Sequence, residues 1–340
     1  ATTQARPAFG RWHHNNSAGY PYLLQDDDEW APRCSALQRR YLEEGQDAVP
    51  GWLRVQWVAP DGERCVREQL CAMLEGRTLA LVGDSIMMQL AQAIRGFFLP
   101  AEKVHRQPWT FTVRICSGRA RILWVRSNLY SHRDARRVLQ EADVVIANWG
   151  LWETELYNVS DQVHQQNMEA LRDDVESLLL ARSPSARFFW RATIAAHGWC
   201  DADLLESVEL TKNPAWKANK VMTRDQEVDQ PMFRGRERMG VLPIHRLHMP
   251  IGHRVYLGKT ATRIMNDAAD NGVHDCLHYC VPGVPDAWVE LFCWEMRWRE
   301  RAQRHRQPIS RHHVGQTVAD RRRLSQPVSE SRSRPRPTRT

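Results

Sequence analysis

Two separated segments of the sequence contain the residue types of a serine-based hydrolytic site. Ser85 follows Gly83 and Asp84, and a segment much later in the chain contains Asp275 and His278. A serine hydroxyl becomes a nucleophile at neutral pH when a histidine accepts its proton and a third group orients that histidine. If the later segment forms a helical turn, positions i and i+3 share one face, so the Asp275 carboxylate can reach the imidazole. The sequence therefore predicts a split Ser/His/Asp site, provided that the fold brings Ser85 and His278 together.

The residues around Ser85 predict a strand, a tight turn and a helix. Residues 79–82 are apolar, and apolar residues recur at helical spacing through 85–98. A serine at the start of such a helix presents its hydroxyl at the sheet edge, and its backbone N–H can stabilise an oxyanion. The alternative is that Asp84 or Ser85 only caps the helix, as these residue types often do. The G-x-S-x-G elbow of α/β-hydrolases is absent, because Met87 occupies the place of its second glycine.

The remaining elements predict an α/β fold. Strands are predicted at 111–115, 120–125, 143–147, 187–194 and 241–247, and helices at 161–180 and 286–299. Apolar strands that alternate with helices indicate a mostly parallel sheet covered on both faces, with ligands at the carboxyl ends of the strands.

Three residues after strand 143–147 are candidates for the same sheet edge. The side-chain amide of Asn148 is a candidate oxyanion donor, Gly150 allows close approach of the backbone, and Trp152 offers a flat apolar face. Asp84 is a further candidate beside the nucleophile. The alternative for Asn148 and Gly150 is an ordinary turn, in which both residue types are common.

Histidine and cysteine alternate around His278, which raises two other interpretations. His274, Cys276, His278 and Cys280 could form a metal cluster, but zinc sites usually pair ligands at C-x₂₋₄-C spacing with a distant second pair, and alternating positions point apart. The other interpretation is a structural Asp–His contact in a loop held by disulfides. No bound metal or cofactor is predicted.

Basic residues are concentrated at the end of the chain. Residues 297–340 contain 13 Arg and three acidic residues, so the rest of the chain, with 34 basic and 37 acidic side chains, is mildly acidic. The segment includes the stretch 331–337, Ser-Arg-Ser-Arg-Pro-Arg-Pro, which lacks large apolar residues, and the tail cannot bury enough surface to fold alone. A disordered basic tail is therefore predicted in preference to a nucleic-acid-binding arm, and no nucleic-acid partner is expected.

Cysteine content and two sequons favour the secretory pathway. The eight cysteines are an even number, as in a disulfide framework, and Asn15 and Asn158 begin Asn-X-Ser sequons. No run approaches the roughly 18 apolar residues of a membrane span. The chain begins at Ala1, so an N-terminal signal or anchor of the precursor could have been removed.

Taken together, these blocks resemble the trichome birefringence-like family of polysaccharide O-acetyltransferases, within the broader GDSL/SGNH and PC-esterase group. The resemblance spans roughly residues 9–295, and its most specific part is the block 275–288. The other matching blocks are Gly10-Arg11-Trp12, Tyr20-Pro21, Trp57 with Pro60 and Cys65, Val82-Gly83-Asp84-Ser85, and Asn148-Trp149-Gly150-Leu151-Trp152.

The resemblance implies a role for each candidate residue. Ser85 would be the nucleophile, His278 the general base and acid, and Asp275 its orienting group, with Asn148 and the Ser85 N–H as oxyanion donors. It also implies a Golgi-lumenal protein, membrane-anchored as a type II precursor, that transfers acetyl from acetyl-CoA or an acetylated carrier to a polysaccharide or oligosaccharide. The chain departs from the family pattern at Ala5, where a cysteine is usual, and in a shortened loop at 191–200.

The prediction that follows is one catalytic domain with an SGNH-hydrolase-like three-layer fold. Residues 1–8 are a disordered start, 9–75 a loop-rich part held by disulfides, 76–298 the SGNH-like core and 299–340 the disordered tail. The predicted function is glycan O-acetyl transfer through a Ser85 acyl-enzyme. An acetylesterase with the same triad and a non-catalytic glycan-binding module are the alternatives.

Overall fold

The computed structural model describes the strands and helices that surround the predicted sheet. The described residues are 9–14, 42–45, 55–98, 105–107, 110–130, 132–155, 157–194, 221–248, 256–258, 275–279 and 281–306. The strands are β1 (Arg11–His14), β2 (Val55–Val58), β3 (Thr78–Gly83), β4 (His105–Gln107), β5 (Thr110–Ile115), β6 (Ala120–Arg126), β7 (Val144–Asn148), β8 (Arg187–Arg191), β9 (Met239–Leu242), β10 (Tyr256–Gly258) and β11 (Asp275–Tyr279). The helices are α1 (Arg67–Leu74), α2 (Ser85–Gly96), α3 (His132–Glu141), α4 (Gly150–Glu155), α5 (Asp161–Asp174, continued by a π-helix at Val175–Leu180), α6 (221–233, with a π-helical turn at Asp225–Asp229), α7 (His245–His248) and α8 (Val284–Arg306).

A seven-stranded sheet forms the centre of the molecule, in the order β4-β5-β6-β3-β7-β8-β9. The five strands from β6 to β9 in this order are parallel, while β4, β5 and β6 are joined by antiparallel pairings. The α/β class and the mostly parallel sheet predicted from the sequence are thereby confirmed.

Alternating side chains of the strands build two separate cores, one on each face of the sheet. In β3, Leu79 and Leu81 pack into one core with residues of α1, α2 and α8. Ala80 and Val82, which point to the opposite face, pack into the other core with residues of α3, α5 and α6. The sheet is therefore the middle of three layers, as predicted.

The N-terminal part contains regular structure that the sequence did not predict. Strands β1 and β2 form an antiparallel pair, and α1 leads into β3. Two disulfides connect this part to the core: Cys65 joins Cys293 in α8, and Cys71 joins Cys116 in the turn after β5. The disulfide-held N-terminal region is confirmed; the side chains of the other four cysteines lie outside the described residues.

Several predicted boundaries were wrong. The strand predicted at 241–247 ends at Leu242, because Pro243 lacks the N–H that a ladder needs, and α7 follows. The strand predicted at 187–194 ends at Arg191, and the helix predicted to end at 299 continues to Arg306. The boundary predicted for the basic tail therefore falls inside a helix, and residues 307–340 lie outside the described part of the chain.

Candidate active site

The carboxyl ends of the parallel strands form one edge of the sheet, and β3 ends near its middle. Gly83, its last residue, is paired with Arg126 of β6 on one side and with Asn148 of β7 on the other. After β3 the chain first builds β4 to β6 on one side and then crosses to β7 on the other. Ligands on open α/β sheets bind at such a change of direction. The residues that follow Gly83 are therefore at the position where this fold class builds its binding sites.

Ser85 is the first residue of α2, and Asp84 caps the helix. The Asp84 carboxylate Oδ1 accepts hydrogen bonds from the backbone N–H groups of Ile86, at 3.0 Å, and Met87, at 3.3 Å. The capping alternative considered from the sequence thus holds for Asp84. The Ser85 hydroxyl is not required for the cap, and the N–H groups taken by the cap are those of the next two residues. Ser85 is nearly buried, at the positive end of the helix dipole.

Close packing explains the glycine before Asp84. A Cβ added at Gly83 would collide with the backbone carbonyl oxygen of Asn148 and lie 3.1 Å from the Cβ of Met87. A side chain here would therefore push β3 away from β7 or displace the first turn of α2. The requirement for glycine is a matter of space at the junction that presents Ser85.

A buried arginine connects the residues on either side of this junction. Arg191, at the end of β8, donates from Nη2 to Asn148 Oδ1 at 2.9 Å, and the same nitrogen lies 3.7 Å from Asp84 Oδ1. Burial lowers the pKa of Arg191, and the charges of Asp84 and Asp225 oppose that effect. Arg191 therefore links β8 to the ends of β3 and β7, a role that the sequence did not suggest.

Asn148 lies at the predicted edge, but its amide group is bonded to the neighbouring strand. Its Nδ2 donates to the Arg191 carbonyl oxygen at 2.7 Å and to Thr193 Oγ1 at 2.9 Å. The opposite assignment of amide nitrogen and oxygen would place two oxygens together at Arg191, so these partners fix the orientation. Both amide hydrogens have acceptors within the protein. An oxyanion role for Asn148 stays a prediction. It requires that Nδ2 give up its hydrogen bond to the Arg191 carbonyl oxygen or to Thr193 Oγ1 and donate to the oxyanion instead.

Gly150 and Trp152 lie in α4, directly after β7. A Cβ at Gly150 would come within 2.9 Å of Thr193 Oγ1, so the Thr193 side chain packs closely against Gly150, and a role for Gly150 in substrate binding stays a prediction. Trp152 is partly exposed, and its ring centroid lies 6.3 Å from that of Tyr157, which is 53% exposed. The hydrogen bond from Tyr157 N–H to the Trp152 carbonyl oxygen, at 3.1 Å, holds this aromatic pair together near the sheet edge.

A buried histidine below this edge was missed in the sequence. His164 contacts Glu153 Oε2 through Nδ1, at 2.5 Å, and Asp229 Oδ1 through Nε2, at 2.6 Å. Ionised carboxylates only accept hydrogen bonds, so an imidazole that bonds two of them carries both protons. Burial opposes this charge, but the hydrogen bonds to Asp229 and Glu153 outweigh it and raise the pKa of His164 to about 9. His164 precedes the buried Met168 and Leu171 at helical spacing, so its core position could have been recognised.

One further carboxylate, that of Asp225, extends the polar network around His164 and Asp229. Burial, followed by the charge of Asp229, raises the pKa of Asp225 to about 7, and burial also raises the pKa of Asp229. Asp225 accepts hydrogen bonds from Trp190 Nε1, at 2.7 Å, and from Gln230 Nε2, also at 2.7 Å. These contacts pack α6 against β8 beneath the candidate site.

The segment that contains Asp275 and His278 is a strand and not the helical turn considered from the sequence. β11 pairs with β10 in an antiparallel ladder, with an irregular register between Tyr256 and Gly258. Pairing with β10, which lies earlier in the sequence, keeps this segment extended. The three-residue spacing of Asp275 and His278 could not reveal that pairing. The side chains of Asp275 and His278 lie outside the described residues, so their contact with Ser85 stays a prediction.

The backbone of β11 nevertheless reaches the helix that begins at Ser85. Gln89, one turn after Ser85 in α2, donates from Nε2 to the Tyr279 carbonyl oxygen at 2.5 Å. The Tyr279 N–H donates back to Gln89 Oε1 at 3.2 Å. Tyr279 directly follows His278, so the fold brings the two predicted segments together through a residue that sequence reasoning missed. A glutamine among the buried apolar residues of the first turns of α2 was the signal for it.

Among the described side chains there is no group of three or more His, Cys, Asp or Glu residues arranged to hold a metal ion. None of the described helices has the length and apolar character needed to cross a bilayer.

Comparison with known proteins identifies the family. The model of the PC-Esterase family, described as a GDSL/SGNH-like acyl-esterase family found in Pmr5 and Cas1p, matches residues 123–294. The match includes β7, α4 and β11, and it begins after Ser85. No curated protein has a sequence that matches this chain.

Solved structures of esterases are similar to the chain only at a low level. A peptidoglycan O-acetylesterase is 10% identical, with a TM-score of 0.40 over 69% of this chain and 94% of that chain. A mutant of an acetyl esterase, solved with acetate, is 13% identical, with a TM-score of 0.35 over 66% and 99% of the two chains. Est24, a carbohydrate acetylesterase from Sinorhizobium meliloti, is 12% identical, with a TM-score of 0.30 over 67% and 99%. The family match, which covers half of the chain, is the stronger finding, and the chain belongs to the PC-Esterase family of GDSL/SGNH-like acyl-esterases.

Proposed function

We propose that this protein is an O-acetyltransferase that moves an acetyl group onto a glycan hydroxyl through an acyl-enzyme on Ser85. The family acts on acyl esters, and the resemblance to the trichome birefringence-like branch adds the glycan acceptor. The observation that carries the proposal is the position of Ser85 as first residue of α2, at the carboxyl edge of the sheet, with Asp84 supplying the cap. This arrangement places the hydroxyl at the end of a helix whose dipole favours negative charge.

The reaction proceeds in two displacements. In the first, His278 accepts the Ser85 proton while the Ser85 oxygen attacks the acetyl carbonyl of the donor. The tetrahedral oxyanion is stabilised at the α2 N-terminus, and its collapse releases the donor's leaving group, which takes the proton from His278. In the second, a sugar hydroxyl gives its proton to His278 and attacks acetyl-Ser85. The Ser85 ester bond then breaks, His278 returns the proton to the Ser85 oxygen, and the acetylated glycan and free serine result. Asp275 orients His278 in both steps.

Hydrolysis is the second candidate, because the family model is one of acyl-esterases. The two activities share the acyl-enzyme and differ in whether a sugar hydroxyl or water resolves it. A transferase must exclude water from acetyl-Ser85. A partly exposed aromatic pair, Trp152 and Tyr157, lies near the edge and would favour a sugar ring as the acceptor.

Kinetics with a labelled acetyl donor test the proposal. The intact protein is incubated with an isotopically labelled acetyl donor, with and without an oligosaccharide mixture, and labelled glycan and free acetate are measured. We expect glycan-dependent transfer, and we expect Ser85→Ala to lose it while keeping its unfolding midpoint. Ser177→Ala, a change at an exposed serine, is the matched control. A fully active Ser85→Ala protein would refute the nucleophile, and acetate release unaffected by glycan would favour the esterase.

The location and partners form part of the same proposal. The two disulfides are typical of proteins that fold in an oxidising compartment, which supports the secretory pathway and the Golgi lumen. The expected partners are an acetyl donor, acetyl-CoA or an acetylated carrier, and a polysaccharide or oligosaccharide acceptor. A glycan-binding module without activity is the competing class, and covalent labelling of Ser85 by a fluorophosphonate would argue against it.

A further inference from the structure

Gln89 is a buried polar residue on the helix that begins at Ser85. It is 1% exposed, between Met88 and Leu90, which are also buried. Residues four apart on a helix lie on one face, so Gln89 stands one turn below Ser85 on the same side of α2. A buried amide that lacked hydrogen-bond partners would destabilise the fold, so its partners indicate why a glutamine is present.

Both polar groups of the Gln89 side chain bond to the backbone of one residue. Nε2 donates to the Tyr279 carbonyl oxygen, at 2.5 Å, and Oε1 accepts from the Tyr279 N–H, at 3.2 Å. Two residues of neighbouring antiparallel strands exchange the same pair of bonds. The Gln89 amide therefore acts toward β11 as a short piece of an adjacent strand. It fixes Tyr279 both along the strand and in its distance from α2.

The side chain of Tyr279 is fixed as well. The ring is buried and meets the buried Trp288 of α8 edge to face, with centroids 5.5 Å apart and planes at 86°. An edge-to-face contact of this kind is a favourable aromatic geometry. Tyr279 is thus held by its ring from α8 and by its backbone from α2, and His278 is the residue immediately before it.

We propose that Gln89 is a positioning residue that sets the distance between the β11 backbone at His278 and Ser85. This inference rests on the proposed function, in which His278 takes the Ser85 proton. Proton transfer requires hydrogen-bond reach between the two groups, and a displacement of about 1 Å can reduce a rate by roughly 100-fold. Without Gln89, the N–H and C=O of Tyr279 lose their partners on α2, and β11 must move to satisfy them elsewhere.

A double-mutant cycle distinguishes positioning from a general loss of stability. The rate of Ser85 labelling by a fluorophosphonate is measured between pH 6 and pH 9 for the full chain, Gln89→Met, His278→Ala and the double variant. We expect Gln89→Met to slow labelling roughly 10- to 100-fold in the otherwise unchanged protein and less than about twofold when His278 is already absent. Equal slowing in both backgrounds would overturn the proposal, and so would no slowing.

Leu179→Ala is the matched control, because Leu179 is buried in the core on the opposite face of the sheet. It should lower the unfolding midpoint without a change in the labelling rate. Gln89→Glu is a second test: it keeps an acceptor for the Tyr279 N–H and loses the donor to the carbonyl oxygen, so its rate should lie between those of Gln89→Met and the unchanged chain.

Hydrogen exchange tests the same anchor without any activity. Peptides that contain 275–279 should exchange amide hydrogen faster in Gln89→Met than in Leu179→Ala. The two variants are compared at the same number of degrees below their own unfolding midpoints, so that a difference in overall stability does not contribute. Unchanged exchange would overturn the role of Gln89. If the unchanged chain were not labelled at Ser85 while Gln89→Met did speed this exchange, the proposed function would fail and the anchor would stand.

Discussion

Replacing His164 with Gln should destabilise the folded protein by an amount that falls as the pH rises. The imidazolium of His164 bonds Glu153 and Asp229, and its side chain is 1% exposed. Glutamine is neutral, so its presence removes the positive charge that lies between the two buried carboxylates. Removal of one partner from a buried ion pair typically costs about 3–5 kcal/mol.

The pH dependence follows from the raised pKa of His164. The folded pKa of about 9 lies above the ordinary value of 6.5, so the folded state holds the proton more tightly than the unfolded chain. The stabilisation is fully present below pH 6.5 and is lost as the pH rises through 9. A shift of this size corresponds to roughly 3 kcal/mol, of which about 2 kcal/mol should disappear between pH 7 and pH 9.5. Asp225, with a pKa of about 7, is half ionised at the lower end of this window and completes its ionisation in the lower part of it.

Urea unfolding at pH 7 and pH 9.5, without reductant so that the disulfides stay closed, measures the effect. The gap in unfolding free energy between the unchanged protein and His164→Gln should be roughly 3 kcal/mol at pH 7 and less than about 1 kcal/mol at pH 9.5. His13→Gln, at an exposed site on β1, should stay within about 0.5 kcal/mol at both pH values. If the difference in unfolding free energy between the unchanged protein and His164→Gln were the same at both pH values, His164 would not be a buried imidazolium.

Three other changes have expected outcomes. Gly83→Ala should lower the free energy of unfolding by at least about 2 kcal/mol in urea titrations, because the methyl collides with the carbonyl oxygen of Asn148; unchanged stability would contradict the close packing. Asp84→Ala should lower the free energy of unfolding by roughly 3–5 kcal/mol, because it removes both the helix cap and the buried carboxylate that faces Arg191. Loss of the cap alone would cost about 1 kcal/mol, so a decrease of only that size would exclude the ion pair with Arg191. Asn158→Gln should reduce the glycosidase-sensitive mass shift of protein secreted from eukaryotic cells by one glycan, since Asn158 is exposed between α4 and α5; an equal shift in both proteins would exclude glycosylation at Asn158.

Local pattern was sufficient for the strand and helix around Ser85. The apolar run at 79–82 and the helical spacing after it predicted β3 and α2, because a central strand is apolar on both faces and α2 is buried along most of its length. Helix α3 was missed, although its buried residues Ala135, Val138 and Leu139 recur at helical spacing in the otherwise polar sequence HRDARRVLQE.

Contacts between distant parts of the chain determined what the local pattern could not. The three-residue spacing of Asp275 and His278 is compatible with a helical turn, but pairing with β10 makes the segment a strand. The roles of Gln89 and His164 depend on partners far along the chain, Tyr279 and Asp229. Hydrogen-bond partners of this kind leave no spacing rule in a single sequence.

Detection of the acyl-enzyme tests the central claim most directly. The protein is mixed with the acetyl donor in the absence of glycan, quenched in acid within a single turnover, digested and analysed by mass spectrometry. The account predicts one acetyl group on Ser85, which disappears when oligosaccharide is added before the quench. Turnover of the donor with Ser85 unmodified at every time, and undiminished in Ser85→Ala, would contradict it.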